Sequence, residues 1–158
     1  MKEIKWPLLL MCIAIPLVSG LLSGFATSDS INTWYSTLNK PSFNPPNYLF
    51  GPVWSVLYIL MGIGLYLILQ TPKSDMRTKS IWLFVIQLIL NLSWSFIFFN
   101  AQSPLAALIT IGILWITILM MMIYFHTLSP LASYLQLPYL LWVSFASVLN
   151  AAIWILNK

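Results

Sequence analysis

Five long runs of apolar residues dominate the chain, and shorter polar segments separate them. A helix needs about 20 predominantly apolar residues to cross the hydrocarbon core of a bilayer. Barrel strands are not expected, because the apolar residues follow one another continuously instead of alternating with polar ones. The pattern therefore predicts five transmembrane helices, at about 6–26, 48–69, 79–99, 104–126 and 131–156.

The segments between these runs predict how the helices are connected. Residues 27–47 form the one long loop, while "QTPKSDMRTKS", "NAQSP" and "HTLSP" are short connections. The last two connections each put a proline near the start of the next helix, where its missing N–H costs little. Because short loops make neighbouring helices antiparallel, we predict an all-α integral membrane protein. It would fold as a single domain, 1–158, with one bundle of five transmembrane helices.

Composition supports this class of protein. Charged residues make up 6% of the chain and hydrophobic residues 60%, whereas an ordinary soluble domain has about 25% charged residues. Positions 80 to 157 contain no Lys, Arg, Asp or Glu. The second half of the chain must therefore fold within or against the bilayer.

The positive residues predict an orientation in the membrane. With five spans, the amino terminus shares a side with the second and fourth loops. That side carries Lys2, Lys5, Lys73, Arg77 and Lys79, and the other side carries Lys40 and Lys158. Because positive residues favour the cytoplasmic side, we expect a cytoplasmic amino terminus and a first loop outside. The first run also has features of a signal peptide, with "SGFA" near its end, but its length favours a retained helix.

The spans lack the groups that several kinds of chemistry require. No carboxylate lies inside a span, so a proton-coupled transporter would lack its usual relay. The chain has one histidine, His126, and one cysteine, Cys12, so a metal site, a hydrolytic centre and an internal disulfide are not expected. The net charge of +4 forms no basic patch with interleaved aromatic residues, so nucleic-acid binding is not expected either.

Aromatic and amide side chains share faces of three predicted helices. Residues three and four positions apart lie on one face of a helix. The three faces are Trp54, Tyr58 and Met61; Gln87, Asn91 and Trp94; and Trp142, Ala146 and Asn150. Two interpretations of these faces remain open. In the first, the tryptophans form belts at the membrane surface and the amides join helices by hydrogen bonds. In the second, the same side chains line a pocket.

Three stretches of the chain resemble the TspO/MBR family, whose members are called tryptophan-rich sensory proteins, translocator proteins or peripheral-type benzodiazepine receptors. They are "WYSTLNKPSFNPPNYLFGPVWSVLYILMGIGLYL", "QLILNLSWSFIFF" and "SPLASYLQLPYLLWVSFASVLNAAIWILN". The stretches occur in the family's order from Trp34 onward, and the chain looks like a bacterial member. The resemblance implies a five-helix bundle in the cell membrane, often present as a homodimer.

The resemblance also implies a pocket at the end of the bundle where the first loop lies. This pocket would bind protoporphyrin IX, haem and benzodiazepine-site ligands, with no cofactor required. Carried over by motif position, its lining would be Tyr35, Pro45, Trp54, Tyr58, Asn91, Trp94, Trp142 and Ala146. Trp54 and Asn91 would meet the polar group of the ligand. Sterol binding is not expected, because Ala151 and Ile155 stand where animal members have a Tyr and an Arg.

Three functions are compatible with such a pocket. The first is binding of porphyrins for sensing or porphyrin homeostasis, with the proline-rich loop as a rigid lid because proline fixes the backbone φ angle. In this lid Pro45 and Tyr35 would close over the ligand. The second is light-dependent porphyrin breakdown, in which Trp54 and Trp142 would be the catalytic, oxidisable residues. The third is passive transport of porphyrins or other lipophiles.

Overall fold

The computed structural model describes residues 4–158 and shows helices joined by short segments. Lys2, which entered the predicted orientation, lies outside the described residues. The helices are α1 (Trp6–Asn32), α2 (Trp34–Thr37), α3 (Asn47–Leu69), α4 (Asp75–Ser95, extended by a π-helical turn at Phe96–Asn100), α5 (Pro104–Leu128), α6 (Pro130–Tyr134) and α7 (Leu137–Leu156). Five stretches are long and apolar enough to cross a membrane, with α6 and α7 together forming the fifth. The predicted all-α membrane fold is confirmed.

The first helix is longer than its apolar run predicts. It continues past the predicted end at 26 to Asn32, so that part of the predicted loop is helical. The hydroxyl groups of Thr27 and Ser28 donate hydrogen bonds to backbone carbonyls one turn earlier. Polar residues can therefore continue the helix beyond the apolar stretch. The first loop is shorter than predicted and comprises residues 33–46, which include the short helix α2.

The fifth span is a broken helix. Pro138 lies in the first turn of α7, and its missing N–H cannot continue the hydrogen-bond ladder of α6 into α7. Beside the break, the buried side chain of Gln136 donates from Nε2 to the carbonyl of Ala132, at 3.3 Å. The run predicted as 131–156 is thus divided into a short and a long helix.

Helix α1 packs against α3 and α4, α4 packs against α5, and α5 packs against α7. At Gly62 the backbones of α1 and α3 touch, because a Cβ atom added there would overlap Ile13 Cα and lie 2.7 Å from Cys12 O. The backbones of the two helices are therefore in contact in the half of the bundle away from the first loop. We call the opposite half, where residues 33–46 lie, the loop end.

We expect Gly62→Ala to lower the free energy of unfolding by about 1–3 kcal/mol, because the added methyl group forces two packed backbones apart. Gly112→Ala is the matched control, since no atom lies within 4 Å of a Cβ added there in α5. The control is expected to keep or gain stability, because alanine favours a helix over glycine. Thermal unfolding in detergent measures both variants, and equal melting temperatures would contradict the packing argument.

Candidate functional site

A cavity of about 490 Å³ lies at the loop end between α1, α3, α4 and α7. This volume is within the range of about 300–1,000 Å³ that is typical of small-molecule sites. Aromatic rings form much of its wall, and no Lys, Arg, His, Asp or Glu is found among the described residues that line it. The site is thus suited to a ligand with a large apolar and flat surface.

Helix α1 forms one wall of this cavity, which the sequence interpretation missed because it treated the first span as generic. The lining residues Leu17, Gly20, Gly24, Thr27 and Ile31 recur at three- and four-residue spacing. At Gly20 the ring of Tyr58 occupies the place of a side chain, since an added Cβ would overlap that ring. The feature of the sequence that could have indicated this wall is a pair of small residues four positions apart, Gly20 and Gly24.

The cavity is open on one side of the bundle. Its lining includes Leu21 and Phe25 of α1 and Gly51 of α3, and all of them are exposed. Around Gly24 and Gly51 an added Cβ would meet no atom within 4 Å. The opening therefore lies between α1 and α3, on a surface of the bundle that is otherwise apolar.

Six of the eight residues predicted for the pocket line this cavity, namely Tyr35, Trp54, Tyr58, Asn91, Trp94 and Ala146. The structure places the other two elsewhere. Pro45 belongs to the first loop, where its carbonyl accepts a hydrogen bond from Asn44 Nδ2 at 3.1 Å, and it is not among the lining residues. The loop residue that reaches the cavity is Tyr35.

Trp142 lies behind the cavity wall, contrary to its predicted place in the lining. Its ring meets Phe50, a lining residue, edge to face at 5.9 Å. Its other aromatic contact is Phe145, at 5.5 Å. A step of four residues along a helix rotates the side chain by about 40° more than one full turn. Trp142 is therefore rotated away from Ala146 and toward α3. Its indole N–H is buried without a hydrogen-bond partner among the described residues.

A chain of hydrogen bonds lies at the buried end of the cavity. The hydroxyl of Tyr58 donates to Asn91 Oδ1 at 2.8 Å, and Asn91 Nδ2 donates to the hydroxyl of Tyr139 at 3.1 Å. Tyr139 in turn donates to Gln87 Oε1 at 2.8 Å. All four side chains are buried. Asn91 therefore joins α3, α4 and α7 and lines the cavity at the same time, so the two interpretations of the amides are compatible.

The two tryptophans of the cavity differ in their polar group. Trp94 donates its indole N–H to Asn150 Oδ1 at 3.0 Å, so this group is already engaged within the protein. Trp54 stacks on Tyr58, with ring centroids 5.5 Å apart and planes at 28°. Its N–H makes no hydrogen bond to another described residue, and Trp54 can therefore donate to a ligand.

The first loop is held over the loop end by specific contacts. Tyr35 donates from its hydroxyl to Asn44 Oδ1 at 2.8 Å. Burial raises the pKa of Tyr35, and the hydrogen bond with Asn44 opposes this effect only in part, so the hydroxyl remains a donor at neutral pH. Lys40 Nζ lies 4.7 Å from the centre of the Tyr35 ring. A cation thus lies beside the one loop residue that lines the cavity.

Hydrogen bonds from Asn157, at the end of α7, hold the same loop in place. The backbone N–H of Asn39 donates to Asn157 Oδ1, and Asn157 Nδ2 donates to the backbone carbonyl of Asn39, both at 2.9 Å. On the other side, Asn100 in the π-helical turn donates from Nδ2 to the carbonyl of Ala26 in α1 at 3.3 Å. These contacts connect the loop and α4 to their neighbours around the cavity.

The comparisons with known proteins identify a family. The model of the TspO/MBR family matches residues 12–155. The tryptophan-rich protein TspO of Chlorobaculum tepidum is 47% identical over 150 residues, which is 94% of this chain and 95% of that protein. The TspO of Archaeoglobus fulgidus is 46% identical over 142 residues, 89% of this chain and 91% of that protein. The human translocator protein is 36% identical over 123 residues, 77% of this chain and 73% of that protein.

These similarities confirm the resemblance that the motifs indicated from Trp34 onward, and they extend it into the first span. The matched residues begin at position 12, within α1, and end at position 155, within α7. All the residues that line the cavity, from Leu17 to Ile153, therefore lie within the matched part of the chain.

Proposed function

The chain belongs to the TspO/MBR family, whose members are membrane proteins of the receptor or translocator type, and on this premise we propose that it binds porphyrins such as protoporphyrin IX and haem. The observation that carries the proposal is the aromatic cavity, which has no ionised side chain among its described lining residues. A porphyrin has a flat π system with a large apolar area, and aromatic faces bind such surfaces well. Occupancy of the cavity would then serve sensing or porphyrin homeostasis.

The geometry suggests how the macrocycle is held. Trp54 and Trp94 present rings to the cavity from α3 and α4, and the N–H of Trp54 is available to a hydrogen-bond acceptor of the ligand. The charged propionate groups of a porphyrin would stay toward the first loop, where Lys40 lies beside Tyr35. They would avoid the buried end, because an unpaired charge is costly there. Entry from the lipid would use the opening between α1 and α3.

Titration of the purified protein in detergent with protoporphyrin IX tests the proposal. The shift of the porphyrin Soret band is expected to saturate with one equivalent of ligand. Trp54→Ala is expected to weaken binding by about 10-fold or more, because a ring that contacts the ligand is removed. Trp82→Ala is the control, since Trp82 is 62% exposed on α4 and lies outside the cavity lining. A shift that does not saturate, or one that is equal in both variants, would refute porphyrin binding in this cavity.

The alternative functions have less support from the geometry. A light-dependent enzyme that uses both Trp54 and Trp142 would need both rings near the porphyrin, yet only Trp54 lines the cavity. For the transport alternative, the cavity provides aromatic contacts and hydrogen-bond donors but no charged relay among its described lining residues. Binding is therefore the function that this arrangement of side chains favours.

A further inference from the structure

The cavity opens sideways into the membrane. Its opening lies between α1 and α3, which are both long and apolar enough to span a bilayer. Two side chains of the opening, Leu21 and Phe25, are 60% and 84% exposed, and a Cβ added at Gly24 or Gly51 would meet no atom within 4 Å. In a membrane this surface contacts lipid. The space inside the cavity is therefore continuous with the hydrocarbon of the bilayer.

The loop end of the cavity is covered. The ring of Tyr35 is buried there against Phe98 and Phe99, with ring centroids 6.1 and 5.6 Å apart. The hydrogen bonds between Asn39 and Asn157 hold the loop against the end of α7. Exchange with the aqueous side would require these contacts to break, whereas the side toward the lipid is already open. In the absence of another ligand, the cavity is therefore filled from the membrane.

The lining favours a hydrocarbon chain over water. A buried water molecule needs about two to four polar partners. The amide of Asn91 is already bonded to Tyr58 and Tyr139. The side-chain oxygen of Asn150 already accepts a hydrogen bond from Trp94. An empty cavity is also unfavourable, because the side chains around it lose dispersion contacts. A flexible hydrocarbon chain restores these contacts and requires no hydrogen bonds.

We propose that an acyl chain of a membrane phospholipid occupies the cavity whenever no other ligand is bound, and that it enters through the opening between α1 and α3. Asn47, the first residue of α3, lines the cavity and is exposed, and its side chain makes no hydrogen bond to another described residue. Its amide can therefore donate to the ester carbonyl at the start of the chain. This lipid site does not depend on porphyrin binding, but a porphyrin that enters the cavity must displace the chain.

Photolabelling in vesicles tests the lipid site. The full chain is reconstituted with a phosphatidylcholine that carries a diazirine within one acyl chain, and mass spectrometry identifies the cross-linked residues after irradiation. Leu149 and Ile111 are both buried, each seven residues from the loop end of its helix (Leu156 of α7 and Pro104 of α5), but only Leu149 lines the cavity. We expect label on Leu149 and none on Ile111. An unlabelled Leu149, or equal labelling of both residues, would overturn the proposal.

Two matched substitutions test the route of entry. Gly24→Leu fills the opening and is expected to remove the label from Leu149. Gly112→Leu is the control and should keep the label, because Gly112 of α5 is also exposed and an added Cβ would meet no atom within 4 Å there. Thermal unfolding verifies that both variants are folded. Wild-type labelling of Leu149 in Gly24→Leu would show that the chain does not enter between α1 and α3.

Adding protoporphyrin IX before irradiation, under anaerobic conditions, distinguishes the lipid site from the proposed function. The porphyrin is expected to remove the label from Leu149 but not from Ile116, which is 56% exposed on α5 and corrects for light that the porphyrin absorbs. If Leu149 keeps its label relative to Ile116, the lipid site stands and porphyrin binding in this cavity fails. If the Soret titration saturates but Leu149 is unlabelled without porphyrin, the lipid site fails and the proposed function stands.

Discussion

Gly20→Leu is expected to abolish porphyrin binding at concentrations that saturate the wild type. A Cβ at this position would already overlap the ring of Tyr58, and the rest of a leucine side chain would extend into the cavity. Tyr58 stacks on Trp54 and donates to Asn91, so its displacement disturbs both the aromatic wall and the buried amide. We expect a loss of affinity of about 100-fold or more, because overpacking and a lost contact act together.

Gly24→Ala is the matched control for this experiment. Gly24 lies one turn along the same face of α1 and also lines the cavity, but nothing lies within 4 Å of a Cβ added there. The control should keep its affinity within about threefold. The Soret titration used for the wild type measures both variants, and thermal unfolding verifies that each is folded. If Gly20→Leu bound porphyrin normally, the cavity between α1 and α3 would not be the site.

The side chains that the sequence grouped together, and that the structure also brings close to one another, lie on regular helix with strong spacing. Trp54 and Tyr58 are four residues apart, as are Gln87 and Asn91, and the periodicity of a helix puts each pair on one face. The five spans were predictable for a related reason. Backbone groups in lipid must be satisfied within the segment, so a long apolar run has to be a helix.

Trp142 shows where the same rule loses accuracy. Spacing alone groups it with Ala146 and Asn150, but a step of four residues drifts by about 40°. This drift separates Ala146, which lines the cavity, from Trp142, which lies behind Phe50. Only the position of the neighbouring helix decides between these outcomes, and a single sequence does not contain that position.

The contribution of α1 was missed for a different reason. Gly20 carries neither an aromatic ring nor an amide, so its one signal in the sequence was its spacing from Gly24. Its role depends on what lies opposite, namely the ring of Tyr58. The hydrogen bonds between Asn39 and Asn157 could not be predicted either, since they join residues far apart in the chain.

Tyr139→Phe is expected to destabilise the protein by about 1–3 kcal/mol, although it changes a single oxygen atom. The hydroxyl of Tyr139 accepts from Asn91 and donates to Gln87, and the ring is fully buried. Without it Gln87 Oε1 loses its donor, while Gln87 Nε2 has no partner among the described residues even in the wild type. The whole amide would then be buried without hydrogen bonds, which is costly in a low-dielectric interior.

A double-mutant cycle separates this effect from a loss of packing. Gln87→Met removes the amide with little change in volume, and by itself it leaves the Tyr139 hydroxyl without an acceptor. Combined with Tyr139→Phe it removes both partners of this hydrogen bond, while the acceptor that Asn91 Nδ2 loses is the same in the single and the double variant. The double variant should therefore be more stable than the sum of the single effects by about 1–2 kcal/mol. Unfolding in mixed detergent micelles measures the four proteins. Strict additivity would mean that the hydrogen bond between Gln87 of α4 and Tyr139 of α7 does not stabilise the bundle.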